Sequence, residues 1–253
     1  VSYGIPPQDD VMLWQVTVRN IGDAPADLRL VSYLEFGLLE FMREVIGWCY
    51  LKNQFSLRYD PALEAICYDY HVFEAPYAPR MLFACTEKPD GWECSRDDFI
   101  GTTGSYAAPA ALAEGRELSN SQLPLGGHAC AVEGVNLRLK PGASKSLGFV
   151  FALADEWDQA AALLASYRSV GAVADGFAVI TTFWQERLER TVIDSGDPVV
   201  DRAVNTWIPY NSMVALDLAR TISTDHMGMD GLRYRDTAQD ALAVASIDPD
   251  FAA

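Results

Sequence analysis

The chain has 253 residues, of which half are hydrophobic and 21% are charged. This composition is typical of a globular protein that buries a sizeable core in one large or two modest domains. The 35 acidic residues outnumber the 19 basic ones and set the formal net charge at −16. Nucleic acid is therefore not expected as a partner, because its phosphates require a basic face, and neutral small molecules are the easiest ligands.

Hydropathy and cysteine usage narrow the class of protein further. The sequence has no run of about 18 apolar residues and no basic start followed by an apolar stretch, so we expect neither a membrane nor a secretory signal to be involved. The five cysteines are an odd number and show no Cys-x-x-Cys spacing. We expect unpaired thiols in a reducing, cytoplasmic compartment, and no metal site. The cysteines are Cys49, Cys67, Cys85, Cys94 and Cys130.

Short apolar runs separated by turn signals occupy the first 154 residues. Residues 11–19 alternate apolar and polar side chains at their end and run into Asn20-Ile21-Gly22, a turn signal. Runs at such spacing, without a helical period, predict an antiparallel β-sandwich over residues 1–154, and we expect its N-terminus to be incomplete. The predicted strands cover residues 11–19, 28–34, 65–73, 80–85, 130–139 and 146–153.

Helical periodicity replaces the short strands at Asp155. Trp157, Ala160, Ala161 and Leu164 recur at helical spacing in a run rich in alanine and leucine. Helices are predicted over residues 156–167, 173–190 and 198–220. The sequence therefore predicts a multidomain α+β protein in which a β domain precedes an α domain, with the boundary near residue 155.

A dense polar motif lies at residues 231–240, at the start of a further predicted helix. Asp236, Gln239 and Asp240 are spaced i, i+3 and i+4, which predicts that they share one helical face. Planar donors and acceptors at this density suit a sugar or an oxyanion. The alternative to a binding site is a helix cap, because Asp236 with Gln239 three residues later nearly matches a capping box. A cap leaves Arg233, Arg235 and Asp240 unexplained. The other candidate residues of the motif are Arg233, Tyr234 and Arg235.

Aromatic and histidine residues near the motif are further candidates. His226 lies in the preceding loop and is a candidate contact for a ligand or phosphate, against the alternative of a solvated loop histidine. Trp184, Trp207 and Tyr210 follow helical spacing and are predicted to be core, although Tyr210 is also a candidate for the mouth of the site. The remaining histidines, predicted to be structural, are His71 and His128.

The motifs together resemble a known family, in order as well as in content. Residues 235–240, Arg-Asp-Thr-Ala-Gln-Asp, resemble the Gly-Phe-Arg-Asp-Ser-x-Gln-Asp signature of inverting β-glycoside phosphorylases, the cellobiose and chitobiose phosphorylase group of glycoside hydrolase family 94. Residues 11–20 are similar to that family's Glu-x-Trp-x-Val/Leu-Thr-x-x-Asn strand, and residues 95–101 to its Asp-Arg-x-x-Phe-Leu-Gly segment. Residues 205–211 are similar to the Asn-x-Trp and Tyr-Gln pattern that opens the family's helical barrel.

The resemblance implies a domain order and a quaternary structure. It implies a β-sandwich over residues 1–154, a helical linker over residues 155–195 and the start of an (α/α)6 catalytic barrel over residues 196–253. It also implies a homodimer, in which Arg96, Asp97 and Asp98 are candidates to reach across the interface, against the alternative of a solvated charged turn. Because about three helices offer too little surface to enclose a ligand pocket, we interpret the chain as a segment of a longer polypeptide, and the remainder of that polypeptide as its partner.

The reaction that the resemblance implies is reversible phosphorolysis. A β-linked disaccharide, cellobiose-like or chitobiose-like, reacts with phosphate to give an α-sugar 1-phosphate, with inversion, and a free sugar. Inorganic phosphate is the co-substrate and no cofactor is expected. Since phosphate is already an anionic nucleophile, one general acid suffices. In the family this acid belongs to an Asp-Trp-Asn-Asp motif, which does not occur in this sequence, so we expect it beyond Ala253 and expect the segment alone to be inactive.

The resemblance assigns substrate binding, rather than acid catalysis, to the polar motif. Asp236 and Arg235 correspond to donor-sugar residues, where a carboxylate accepts from two vicinal hydroxyls and a guanidinium donates in a planar fork. The family often has an arginine six residues before this aspartate, where this chain has Asp230, and Arg233 replaces a small residue. Two alternatives are open: an inverting glycoside hydrolase, and a non-catalytic carbohydrate-binding or interaction fragment.

Overall fold

The computed structural model describes residues 1–35, 55–71, 79–113, 116–217 and 234–252. These residues divide into two compact units: a sandwich unit up to Ile180 and a helical unit from Thr181 onwards. The division falls inside one helix, Val170–Leu188, and within the predicted linker. The predicted domain limits stay a prediction.

The sandwich unit is built from two antiparallel sheets. One has six strands in the order β1-β2-β9-β6-β5-β4, and the other has three in the order β3-β8-β7. Antiparallel sheets followed by helices confirm the predicted fold class. The strands are β1 (Ser2–Gly4), β2 (Val11–Arg19), β3 (Ala26–Val31), β4 (Phe55–Asp60), β5 (Ala65–Tyr70), β6 (Arg80–Cys85), β7 (Gly91–Ser95), β8 (Ala129–Leu139) and β9 (Ser144–Ala154).

One face of the six-stranded sheet packs against the smaller sheet. In β4, Phe55, Leu57 and Tyr59 are buried while Arg58 is exposed, as the two-residue period of a strand requires. The Tyr59 ring stacks on Trp92 of β7 with the ring centroids 3.9 Å apart, and so joins the two sheets. Burial of each large aromatic side chain contributes about 1.5–3 kcal/mol.

The other face of that sheet is covered by the helices α2 (Trp157–Ser166) and α3 (Val170–Leu188). Leu82 and Val150 of the sheet share a buried apolar cluster with Leu164 of α2. The close approach of α3 to strand β2 requires glycine at position 176, because a Cβ there would lie 2.5 Å from the Leu13 side chain. Among the described residues, the first helix in chain order is α1 (Arg96–Ile100), which instead follows β7 directly and is capped by Ser95.

Among its described residues, the helical unit comprises the C-terminal part of α3, four further α-helices and a π-turn. Asp197 caps α4 (Pro198–Arg202) by accepting a hydrogen bond from the Val199 N–H at 2.8 Å. A π-turn at Ala203–Trp207 joins α4 to α5 (Ile208–Asp217). The remaining helices are α6 (Tyr234–Val244) and α7 (Pro249–Ala252).

The element predictions hold best for the central strands. Strands predicted at residues 11–19 and 80–85 have those bounds in the structure. The strand predicted over 65–73 ends at Tyr70, and residues 72–73 lie outside the described part. The helix predicted over 198–220 is interrupted by the π-turn, and residues 218–220 lie outside the described part. Strands β1, β4 and β7 had no counterpart in the prediction.

The described cysteines are free thiols, as predicted. Cys67, Cys85, Cys94 and Cys130 are buried and unpaired, and burial raises the pKa of Cys67 to about 11 and that of Cys85 to about 12. Cys49 lies outside the described residues. Across the part of the chain that the structure describes, no three metal-ligating side chains of the His, Cys, Asp and Glu types come together.

No single helix in the described ranges is long and apolar enough to cross a bilayer. The pair Trp157–Ser166 and Val170–Leu188 reaches that length and composition only when both are counted together, across a bend of 91°.

Candidate functional site

The polar motif lies on α6, which begins at Tyr234. Asp236 is the third residue of this helix, so it lies inside the first turn instead of flanking it. A capping box requires Asp236 to be the residue before the helix, whereas the described helix already includes Tyr234 and Arg235 ahead of it. A carboxylate in the first turn is stabilised by the positive end of the helix dipole and by the unpaired N–H groups there.

The two aspartates of α6 are shielded from solvent, whereas Tyr234, Arg235 and Gln239 are exposed. The Asp236 side chain is 19% exposed, and Asp240, one turn later, is 6% exposed. The i, i+3 and i+4 spacing places Asp236, Gln239 and Asp240 on one helical face. Gln239 is exposed, so of these three only the two aspartates are shielded from solvent. Tyr234 is 90% exposed. The helix therefore presents two sheltered carboxylates beside outward donors.

Arg235 and Asp236 form the one ion pair recorded for the motif among the described residues. Arg235 Nη2 lies 3.6 Å from Asp236 Oδ1. The Arg235 side chain is 83% exposed, so the pair contributes little to stability. An exposed guanidinium next to a sheltered carboxylate leaves most of the planar donor fork available to a ligand. Arg233 and His226 lie outside the described residues.

A small core and an ion pair hold the C-terminal end of α6 in place. Val244 and Ile247 pack against Met213 of α5. Immediately after α6, the Asp248 carboxylate lies 2.8 Å from Arg187 Nε of α3, with the Asp248 side chain 8% exposed. Arg190 Nη1 also donates to the Ile247 carbonyl at 2.7 Å. These contacts fix the orientation of the helix that carries the motif.

Three aromatic residues cluster on α3, the π-turn and α5. The ring centroids of Trp184 and Tyr210 are 5.0 Å apart, and those of Trp207 and Tyr210 are 6.3 Å apart. Trp184 packs against the small core, as predicted. Trp207 is 56% exposed and Tyr210 37% exposed, so the core prediction is wrong for them within the described residues. The physical reason is the π-turn, which adds a residue to one turn and rotates the side chains after it.

The π-turn also positions a residue whose role the sequence analysis missed. The Asn205 side-chain amide donates to the Ile193 carbonyl at 2.8 Å, and its Oδ1 accepts from the Ile193 N–H at 2.9 Å. One asparagine side chain thus pairs with both backbone groups of Ile193 and ties the segment before α4 to the helix. Only the sequence spacing Asn-x-Trp marked this position in advance.

One groove among the described residues of the helical unit has a volume of about 190 Å³. Arg187, Ser212 and Ser246 supply its polar lining, and Ile208 and Ala243 supply apolar lining. Sites for drug-sized ligands usually occupy about 300–1,000 Å³. This groove is therefore too small to hold a disaccharide by itself.

In the sandwich unit, Arg96 is bound within the chain. Arg96 Nε lies 3.2 Å from Glu35 Oε1, and its guanidinium lies 5.5 Å from the centre of the Tyr106 ring. Hydrogen bonding to Tyr106 raises the pKa of Arg96. Asp97 lies 3.1 Å from His128 Nδ1, and the latter side chain is half exposed. The expectation of a solvated charged turn is therefore wrong for Arg96, because its side chain is held over an aromatic ring.

The structural histidines make local polar contacts. His71 Nε2 lies 2.8 Å from Ser56 Oγ on the neighbouring strand, and His128 pairs with Asp97. Asp98 contributes its backbone N–H to the Ser95 cap at 3.2 Å, while its side chain is exposed.

Comparison with known proteins assigns both units. The model described as glycosyl hydrolase 94, supersandwich domain, matches residues 1–170. The model described as glycosyl hydrolase 94 superfamily, catalytic domain, matches residues 183–253 and so includes α6. Thus both units, in the same order, match domains of one family.

Curated relatives match along almost the whole chain. An N,N'-diacetylchitobiose phosphorylase of Vibrio proteolyticus is 27% identical over 248 residues, which is 98% of this chain and 30% of that protein. A cellobionic acid phosphorylase of Neurospora crassa is 24% identical over 92% of this chain and 30% of that protein. A cyclic β-(1,2)-glucan synthase of Rhizobium meliloti is 27% identical over 91% of this chain and 8% of that protein. The chain therefore spans about 30% of the length of these phosphorylase relatives.

Proposed function

Because this chain belongs to glycoside hydrolase family 94, we propose that the protein containing it is a phosphorylase of β-linked disaccharides. The disaccharide and phosphate react reversibly to give an α-sugar 1-phosphate and a free sugar. Two relatives named for chitobiose and cellobionic acid phosphorolysis support the reaction class. Cellobiose-like and chitobiose-like disaccharides are the substrates to test first.

The reaction proceeds by a single inverting displacement. A phosphate oxygen forms the new bond to the anomeric carbon while the bond from that carbon to the leaving sugar oxygen breaks. A general acid gives its proton to that oxygen. Phosphate supplies the nucleophile, so the reaction needs no second carboxylate to deprotonate water. The acid is an aspartate beyond Ala253, in a part of the protein outside this chain, and no cofactor takes part.

The residues of α6 bind the donor sugar. Asp236 accepts hydrogen bonds from two vicinal hydroxyls, and the Arg235 guanidinium donates to the sugar through its planar fork. The observation that carries this assignment is the sheltered Asp236 carboxylate in the first turn of α6, beside the exposed Arg235. The further contacts in this proposal come from Arg233, Tyr234, Gln239, Asp240, His226 and Tyr210.

Two features of the whole protein belong to the same proposal. It is a homodimer in which the sandwich and the helical part are continuous with the remainder of the polypeptide. It works in the cytoplasm, a location supported by the four described cysteines, which are all free thiols.

Substitution of Asp236 tests the donor-site assignment. In the full protein, Asp236→Asn keeps the size of the side chain but removes its charge and half of its accepting capacity. We expect kcat/KM for phosphorolysis to fall about 100-fold or more, since hydrogen bonds to a charged group contribute about 1.5–3 kcal/mol each. Asp250→Asn, on the exposed helix α7, is the matched control and leaves kcat/KM unchanged. Equal activities of the two variants would remove Asp236 from the donor site.

A further inference from the structure

Two glutamates are buried in neighbouring strands of the three-stranded sheet, and their surroundings differ. Glu93 of β7 is 1% exposed and Glu133 of β8 is 0% exposed. An ionised carboxylate at such depth is strongly unfavourable unless donors surround it. The hydrogen bonds of each side chain therefore indicate which protonation state the fold accommodates.

Glu93 is surrounded by donors. Its Oε1 accepts the Ser119 backbone N–H. Its Oε2 accepts the Ser119 hydroxyl at 2.9 Å and the Ser121 hydroxyl at 2.5 Å. Three donors on two oxygens satisfy the accepting capacity of this buried side chain far better than a single donor would.

Glu133 has one donor and one bare oxygen. Its Oε2 accepts the backbone N–H of Cys85, in β6 of the opposite sheet, at 2.5 Å. Its Oε1 is buried and has no hydrogen-bond partner among the described residues. A carboxyl group in this arrangement is best accommodated with a proton on Oε1, because the neutral acid has less charge to solvate.

The groups around Glu133 do not neutralise an ionised form. The Arg168 guanidinium lowers the pKa of Glu133, but less than burial raises it. Arg168 Nη2 donates to the Glu64 carbonyl at 2.8 Å and lies 3.7 Å from the Glu64 carboxylate, and Arg168 Nη1 has no hydrogen-bond partner among the described residues. Tyr59 of β4 and Cys85 of β6 are uncharged neighbours, because burial raises the pKa of each to about 12. Cys94 of β7 is likewise a buried thiol with a raised pKa.

We propose that Glu133 is a buried proton-binding site of the sandwich, at which the folded protein keeps the carboxyl group neutral near pH 7 and becomes less stable when that proton is lost. The step breaks the O–H bond on Oε1, releases the proton to solvent and leaves a carboxylate between the sheets. The Cys85 N–H is then the one hydrogen-bond donor recorded for the Glu133 carboxylate among the described residues.

Burial accounts for the direction of the pH effect. It raises the pKa of Glu133 from 4.5 to about 8. Because the folded state holds this proton more tightly than the unfolded chain does, its contribution to stability is complete below pH 4.5 and is lost as pH rises towards 8. Single-proton linkage lowers the ratio of folded to unfolded protein by about tenfold per pH unit inside that window.

Two glutamine variants of the 253-residue chain test the site by urea unfolding followed from pH 5 to pH 9. Glu133→Gln is neutral at every pH, so we expect its stability to lack the tenfold-per-unit fall and to exceed that of the unmodified chain at pH 8. Glu93→Gln, the matched control, retains the fall. Identical pH dependences for the unmodified chain and Glu133→Gln would overturn the proposal.

A measurement without any variant covers the case in which Glu133→Gln does not fold. In the unmodified chain carrying 13C at the glutamate side-chain carboxyl, NMR follows each carboxyl carbon as pH is raised. We expect one glutamate signal to titrate above pH 7, far from the others. If every glutamate signal titrates below pH 6, the buried carboxyl group holds no proton at neutral pH and the proposal fails.

Discussion

Arg235 and Asp236 show how one motif combines an exposed donor with a sheltered acceptor. The Arg235 side chain is 83% exposed and contacts Asp236 at 3.6 Å, so the fold gains little from it. Its planar fork is suited to two hydroxyl or phosphate oxygens at once, whereas lysine presents a point charge. The proposed contact with the donor sugar would use this exposed fork.

A lysine at position 235 separates these two roles. In the full protein we expect Arg235→Lys to lower kcat/KM for phosphorolysis about 10- to 100-fold, the loss of one charged hydrogen bond. The melting temperature stays within about 1 °C of the unmodified protein, because surface substitutions change stability little. Steady-state kinetics with circular dichroism on the same samples checks both statements. Unchanged kinetics would exclude a contact between this guanidinium and the substrate.

At the scale of elements, the end of α6 depends on a long-range ion pair. Asp248 pairs with Arg187 of α3 and also accepts the Phe251 N–H at 3.3 Å, at the start of α7. Removing one partner of a buried pair leaves the other uncompensated. The orientation of the motif helix is therefore coupled to the C-terminal part of α3.

Asp248→Ala is expected to destabilise the helical unit by about 2–4 kcal/mol, from the lost pair and the lost cap. Urea unfolding of the chain, with helicity as the signal, measures the change. Asp250→Ala, on an exposed position two residues later, is the control and costs less than about 0.5 kcal/mol. Similar values for the two variants would show that the pair is energetically unimportant.

The bounds of a strand or helix are predicted correctly from the sequence where a single local pattern determines them. Strands β2 and β6 have the predicted bounds because their runs end at turn signals. Strand β7, Gly-Trp-Glu-Cys-Ser, was missed because the buried Glu93 breaks the apolar pattern, and only donors distant in sequence make its burial tolerable. The helix after Pro198 was predicted as continuous, since a π-turn has no reliable local signal.

The candidate site was predictable in part for the same reason. Residues 234–240 form the beginning of a helix, as the motif implied. Periodicity alone did not separate the sheltered Asp236 from the exposed Gln239, because that depends on packing against α5. Nor did it indicate the pairing of Arg187 with Asp248, which are far apart in sequence. Local spacing indicated the candidate residues, and tertiary contacts determined their exposure.

At the scale of the whole molecule, the helical unit exposes large apolar side chains. Val199 is 76% exposed, Ile208 57% and Leu242 79%. The chain spans about 30% of the length of its phosphorylase relatives. Exposed apolar area of this kind favours association with other surfaces.

We therefore expect the 253-residue chain to self-associate in isolation and to bind a hydrophobic dye. The double substitution Ile208→Glu and Leu242→Glu should lower both dye fluorescence and the sedimentation coefficient. The matched control, Val1→Glu and Ile21→Glu, changes two exposed apolar residues of the sandwich unit and leaves both readings unchanged. A monomeric unmodified chain without dye binding would contradict the expectation.

The most direct test is whether the full protein needs phosphate to cleave a β-linked disaccharide. N,N'-diacetylchitobiose and cellobiose are incubated with the protein, with and without inorganic phosphate, and the products are followed by 31P and 1H NMR. The account predicts an α-sugar 1-phosphate, formed only when phosphate is present, and none from the 253-residue chain alone. Release of free sugars at the same rate without phosphate would contradict it and identify a hydrolase.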